Sequence, residues 1–369
     1  MPHSHRAIDV QRAWATVVAV VSGLVAMTPV TEAHKPITSP FTYSADVQPI
    51  VRQYCGRCHL PGGVAPMSLL TYRDAVPWGE SMRVELSAGH MPPWGVDRGS
   101  TQFRESSNLS ARDLNVLLTW ATGGTPLGDA AAEKEPEPVA STWALGPPDA
   151  VLNLPVFTLG ADEQERVADF TLPSETQDRL VRAVDFLPGT PAMARSAVVD
   201  VAGASGATAI HDDRMMTLWV PGDAPATLER GALRIPSGRQ LRVRVRYRKT
   251  WSYEGKSMTD RSRVGLYLAT APVSTVRAAT LSPQRAVTLS EPMRVLAIYP
   301  APDLAGSSVV VTATRPGGHR EELIAFHPRA GWARRFWFRD PITLPRGTTL
   351  SVRMTPSTSN GSVTVNLVP

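Results

Sequence analysis

The chain has 369 residues, 43 % of them hydrophobic and 19 % charged, enough for two or three domains with an apolar core. Its formal net charge of +5 favours anionic partners only weakly, and no long Lys/Arg run is interleaved with aromatics, which excludes a nucleic-acid binder. Beyond the N-terminus no apolar stretch reaches the roughly 18 residues of a bilayer-spanning helix.

Residues 1–33 read as a secretory signal. Arg6 and Arg12 supply a positive start, Trp14 to Met27 an apolar core, and Pro29 its end. Thr31-Glu32-Ala33 then offers small residues for cleavage. An uncleaved membrane anchor is the alternative, and membrane contact is expected at most through it. His34 would become the mature N-terminus, where amine and ring together can bind copper, but no second histidine is placed to complete such a site.

From Phe41 to Gly128 the pattern is helical with loops. Ser44 is expected to cap a short helix with Val47, Ile50, Val51 and Tyr54 on its apolar face. That helix leads into Cys55-Gly56-Arg57-Cys58-His59, which holds the two cysteines of the chain. Cys-x-x-Cys-His is an attachment signature for c-type haem, made outside the cytoplasm, so signal and motif agree on a periplasmic or secreted protein. A structural disulfide or half a zinc site are the plainer readings; zinc would need further ligands. Cys55, Cys58 and His59 are therefore the expected haem c site, with His59 on the iron.

The sixth ligand is expected in the Pro- and Gly-rich loop that follows. Met91, in Met91-Pro92-Pro93-Trp94, stands 32 residues after His59 and just before the closing helix; Met67, Met82 and His90 compete with it. Met/His ligation suits electron transfer. Ser110 opens the closing helix, with Leu114, Leu117, Leu118 and Trp120 at helical spacing, and Gly123-Gly124 stops it.

Residues 129–142 form a charged, proline-bearing linker. Beyond it come short alternating runs: Leu180 to Phe186, Ala197 to Val201, Leu241 to Tyr247, Val264 to Leu268, Met293 to Ile298, Val309 to Ala313 and Thr349 to Met354. Such runs, bounded by Pro, Gly, Asp or Ser, predict all-β sandwiches.

The words Val64-Ala65-Pro66-Met67-Ser68-Leu69-Leu70-Thr71-Tyr72 and Met91-Pro92-Pro93-Trp94 resemble the cytochrome c domain that precedes copper type II ascorbate-dependent monooxygenase-like domains in bacterial secreted proteins. Arg182-Ala183-Val184 with Pro188-Gly189, Thr259 to Tyr267, and Leu344-Pro345-Arg346-Gly347 resemble the two sandwiches of peptidylglycine hydroxylating monooxygenase relatives. The resemblance implies His59 and Met91 as the axial pair. It also implies histidine copper ligands where this chain reads Arg195-Ser196, Arg246-Tyr247-Arg248 and Ala301-Pro302-Asp303. Guanidinium does not ligate copper. His211, His319 and His327 show no metal spacing.

The expected architecture is multidomain: a signal peptide at 1–33, a small all-α cytochrome c domain at 41–128, and jelly-roll-like β-sandwiches at 143–270 and 271–369. The expected function is single-haem electron transfer in the periplasm, one covalent haem c and no copper, with the β domains as scaffold or docking surface. A copper monooxygenase fed by the haem and a structural subunit are the alternatives. Arg195 and Arg246 are expected to converge. Arg239, Arg242, Arg244, Arg246 and Arg248 are expected as a solvated strand face, or as a basic patch for an anion or an acidic redox partner. A place in a larger complex fits this reading.

Overall fold

The computed structural model describes residues 38–93, 95–96, 103–104, 108–139, 141–203, 208–229, 231–270, 273–357 and 361–369. The expected signal segment, His34 and Trp94 lie outside them. Residues from Ser39 to Pro369 form one compact unit, mainly of β-structure.

Before Ala150–Asn153 the described residues form four α-helices: Gln48–Tyr54, Tyr72–Ala75, Gly79–Ser87 and Ala111–Thr122. Each begins for a local reason. Pro49 sits in the first turn of Gln48–Tyr54, where its missing N–H is harmless. Thr71 Oγ1 accepts from the Asp74 N–H, and Ser110 Oγ accepts from the Asp113 N–H at 3.0 Å. Ser44 caps nothing: it lies within a π-turn, Tyr43–Val47, and its hydroxyl is buried without a partner. The predicted apolar face is nevertheless buried, Val47, Ile50 and Val51 packing with Leu69, Leu117 and Trp120.

Two larger cores lie between pairs of sheets. The first joins the sheet Glu165–Thr171, Leu241–Arg248, Ala194–Val201 and Met215–Trp219 to a facing five-stranded sheet centred on Arg179–Leu187. Val243, Val245 and Tyr247 point inward and are fully buried, while Arg242, Arg244 and Arg248 point out, as strand alternation requires. The second core lies between a sheet centred on Ser308–Thr314 and one centred on Val363–Val368.

The two β-layers are welded together. Ile210–Asp212 and Ser274–Thr275 each pair outside their sequence neighbourhood, with Arg277–Leu281 and Gly231–Ile235 respectively. Val363–Val368 is buried on both faces: Val363, Val365 and Leu367 enter the second core, Val368 enters the first, and Asn366 donates to Asp213 at 2.8 Å.

The expected fold class is corrected here. The helices do not form a separate all-α domain. The loop after Gly79–Ser87 pairs Gly95–Val96 antiparallel to Phe326 and His327, adding a strand to the second β-layer. Phe103 on the same loop is 7 % exposed within the second core, its ring 4.8 Å from that of Phe338. A short helical cluster leaves much apolar surface uncovered, and this one is completed by sheet.

Candidate functional site

The Gln48–Tyr54 helix ends where the chemistry begins. The Cys55 and Gly56 N–H groups both donate to Val51 O at 2.8 Å. Cys58 and His59 then donate back to Cys55 O at 3.0 and 2.9 Å. This winding places both sulfurs and the imidazole along one cleft. Gly56 is required by space: a Cβ there would stand 2.9 Å from Arg52 O and 3.0 Å from a Leu70 methyl.

His59 Nδ1 lies 3.2 Å from Met67 O. With Nδ1 donating to that carbonyl, Nε2 carries the ring's lone pair. Burial lowers the imidazole's proton affinity, and the Arg195 guanidinium lowers it further against the opposing Met67 hydrogen bond. Both thiols are free, and burial pushes each up to about 12. Asp223 raises Cys58 further, while Arg195 and Arg57 oppose. Thiols so held are poor nucleophiles near neutral pH.

Met91 completes the cleft from the far side. Gly89, at φ +63°, turns the chain after Gly79–Ser87, and the His90 N–H donates to Glu85 O at 2.8 Å. Met91 lines the cleft and is 41 % exposed. Met67 and Met82 line it as well, so three methionines surround the two sulfurs and the ring. His90 does not line it; its Nδ1 is 3.1 Å from Glu85 Oε2.

Sequence reasoning missed the wall contributed by the β-layers. Arg195 and Trp332 line the cleft, and Arg195 donates to Val64 O from a position where its strand bulges. Burial lowers the Arg195 guanidinium to about 10, with Arg248 adding to the effect. Cys58 Sγ sits 3.8 Å from Pro221 O, and Gly222 presses so close to Arg57 that a Cβ there would meet its side chain at 2.3 Å. Arg329 grips the methionine loop, donating to Gly89 O at 2.7 Å and His90 O at 3.0 Å. The local pattern around residues 195, 221 and 329 carries no sign of these contacts.

Arg195 and Arg246 do not share a site: Arg195 lines the cysteine cleft, whereas Arg246 pairs with Glu165 and lines a neighbouring polar cleft with Ser196, Pro302 and Asp303. The arginine stripe is neutralised across the sheet. Arg242 meets Asp200 at 2.5 Å, Arg244 meets Asp169 at 2.9 Å, and Arg248 lies 3.7 Å from Glu165. Arg246 and Arg248 share Glu165, so the face from Arg242 to Arg248 is a paired surface, while Arg239 lies before the strand, close to Arg214. His211 holds Asp212 O at 2.9 Å on an edge strand, and His319 lies in a turn.

No family model matches the chain, and no curated protein matches it. Among solved structures it is similar to a crystal structure of the vicilin from Solanum melongena, at 10 % identity over 56 % of this chain and 75 % of that one, with a TM-score of 0.15. An overlap that slight carries no argument about fold or function. The resemblance to a cytochrome c domain joined to monooxygenase-like sandwiches is therefore corrected: no family match supports it, and the helices are built into a mainly β unit.

The covalent haem c inferred with that domain is corrected on the same grounds. The Cys-x-x-Cys-His run stands in the chain as read. The fold around it, short helices completed by sheet, gives the cofactor no support. The assignments that depend on it, cytochrome, iron and metal binding, fall with it: among the described residues no group of three or more His, Cys, Asp or Glu is arranged to hold a metal ion. Nor is any described helix long and apolar enough to cross a membrane.

Proposed function

We propose that the protein carries electrons outside the cytoplasm, and that the cleft between Cys55, Cys58, His59 and Met91 seats the redox group. One observation carries the reading: residues 55–59 and residue 91, distant in sequence, converge on one cleft whose other walls are mainly apolar. Redox centres are tuned by burial and by the groups that exclude water from them. Here Tyr54, Leu69, Leu86, Pro92 and Trp332 exclude water, and Arg195 supplies a positive charge at the wall. A cation beside the centre favours its reduced form, because added negative charge is stabilised there.

The two thiols do not suit disulfide exchange, since both are held protonated by burial. As neutral groups, the two sulfurs and the imidazole line the seat of the redox group. The β-layers close the cleft and hold the methionine loop, so they act in this reading as part of the site as well as scaffold. Redox partner proteins would approach where Met91 is exposed.

The test is to purify the chain from its native compartment and follow a redox titration by absorbance. A reversible one-electron wave is expected, and Cys55→Ala with Cys58→Ala should abolish it. A folded full chain that shows no wave would overturn the proposal.

A further inference from the structure

A second cavity lies away from the cysteine cleft, where the two β-layers meet the loop that leaves the helices. It encloses about 340 Å³, within the range of small-molecule sites at domain junctions. Strands Arg179–Leu187 and Met215–Trp219 form one wall, Phe336–Leu344 another, and Phe103 with Arg104 close it from the helical side.

Four arginines line this space, Arg104, Arg182, Arg334 and Arg335, against two carboxylates, Asp185 and Asp223. Their burial is graded. Arg104 is exposed, Arg182 half-buried, and Arg334 and Arg335 are 5 % and 7 % exposed. Arg334 is matched by Asp223 at 3.0 Å. Arg335 is matched by Asp213, outside the cavity, at 2.9 Å, yet its Nε is buried with no hydrogen-bond partner. Arg104 spends its donors on Phe338 O and Thr227 O, at 3.3 and 3.1 Å, and both are neutral. Arg182 has no carboxylate within ion-pair distance among the described residues and lies 5.6 Å over the Tyr267 ring. Among the described residues Asp185 pairs with none of the four arginines within ion-pair distance; its Oδ2 accepts from the Ala144 N–H at 3.2 Å.

Two guanidiniums are thus left without an acid, and a buried donor is left unmet. Positive charge in excess of the acids around a cavity favours an anion there, held by charge-assisted hydrogen bonds. The rest of the lining sets the shape of the ligand. Trp219, Trp337, Phe103 and Phe336 present aromatic surface. Arg104 and Arg335 already stand over the Trp337 ring, at 5.7 and 5.3 Å. Bare inorganic anions have no use for such walls; a flat organic body does.

We infer that this cavity binds a small organic carboxylate with a planar apolar body, its carboxylate held by Arg182 and Arg104 and its body against Trp337. The site is distinct from the cysteine cleft, whose Cys58 feels the charge of Asp223 on the cavity wall.

Titration calorimetry on the full chain, with benzoate and phthalate as probes and benzamide and inorganic phosphate as comparators, tests it. Saturable binding of a carboxylate probe is expected, with phthalate tighter than benzoate. Arg182→Gln combined with Arg104→Gln should weaken it at least about tenfold, the share of one charge-assisted hydrogen bond. Arg285→Gln, an exposed change outside the cavity, should leave binding as it is and serves as the control. Neither Arg182 nor Arg104 is fully buried, so the double variant should keep the wild-type unfolding midpoint. Benzamide or phosphate binding as tightly as benzoate would overturn the ligand class. No saturation by either carboxylate, or full binding by the folded double variant, would overturn the site.

Discussion

Asp213 gathers four donors at one buried carboxylate: Tyr299 Oη at 2.7 Å, Asn366 Nδ2 at 2.8 Å, Arg335 at 2.9 Å and the Met215 N–H at 3.1 Å. It is 2 % exposed and joins the first β-layer to the second. Asp213→Ala leaves the Arg335 charge buried without its partner, so a loss of about 3–5 kcal/mol in urea unfolding is expected. Adding Arg335→Met should recover much of it, because an apolar pair of similar bulk removes the orphaned charge. A double variant no better than the single one would place the cost elsewhere. His59 makes a different prediction. Its folded-state proton affinity is lowered, so it is buried neutral, while the unfolded chain protonates it below the usual histidine range of about 6.5. The stability this supports is present above that pH and is lost as pH falls toward the lower folded value. The urea midpoint of the chain with an empty cleft should therefore drop as the pH falls below about 6.5. His59→Gln should flatten that part of the profile.

The elements differ in how openly their residues announced them. Ala111–Thr122 was legible: Ser110 caps it, Leu117 and Trp120 bury, and Gly123 ends it. Ser110→Ala should cost about 1 kcal/mol of stability and Ser110→Asp far less, read by denaturant midpoints. The strands at Leu241–Arg248 and Ser308–Thr314 were equally plain, because alternation of Val with Arg or Thr matches one buried face. Glu165–Thr171 escaped notice: its sequence is mostly polar and its burial weak, since it is an edge strand held by Leu241–Arg248. The arginines on that sheet show why a charge pattern is read badly without partners. Their acids come from residues 165, 169 and 200, on two other strands. Removing one exposed pair with Arg244→Ala should change stability by less than about 1 kcal/mol. A larger loss in a double-mutant cycle with Asp169→Ala would show a stronger network.

At the scale of the whole molecule, the helices, both β-layers and the cleft depend on one another. Phe103→Ala removes a ring from the second core, and a loss of about 3–5 kcal/mol is expected. Fluorescence and far-ultraviolet dichroism should then report one coincident transition, shifted to lower denaturant. Two separate transitions, with only one shifted, would mean that the helices unfold on their own. What the sequence alone determined was local. The turn at Cys55 to His59, the Ser110 cap and the alternating strands follow from hydrogen bonds and periodicity within a dozen residues. The fold class and the inferred haem domain did not survive, because a local pattern does not say what covers its apolar side. Only the tertiary structure decided that Phe103 and Gly95–Val96 belong to the sheets, and that Arg195 and Trp332 wall the cysteine cleft. It alone joined Arg104, Arg182 and Arg335 around one cavity. Those contacts span more than a hundred residues in several cases, and they are set by which buried surfaces fit when the layers close.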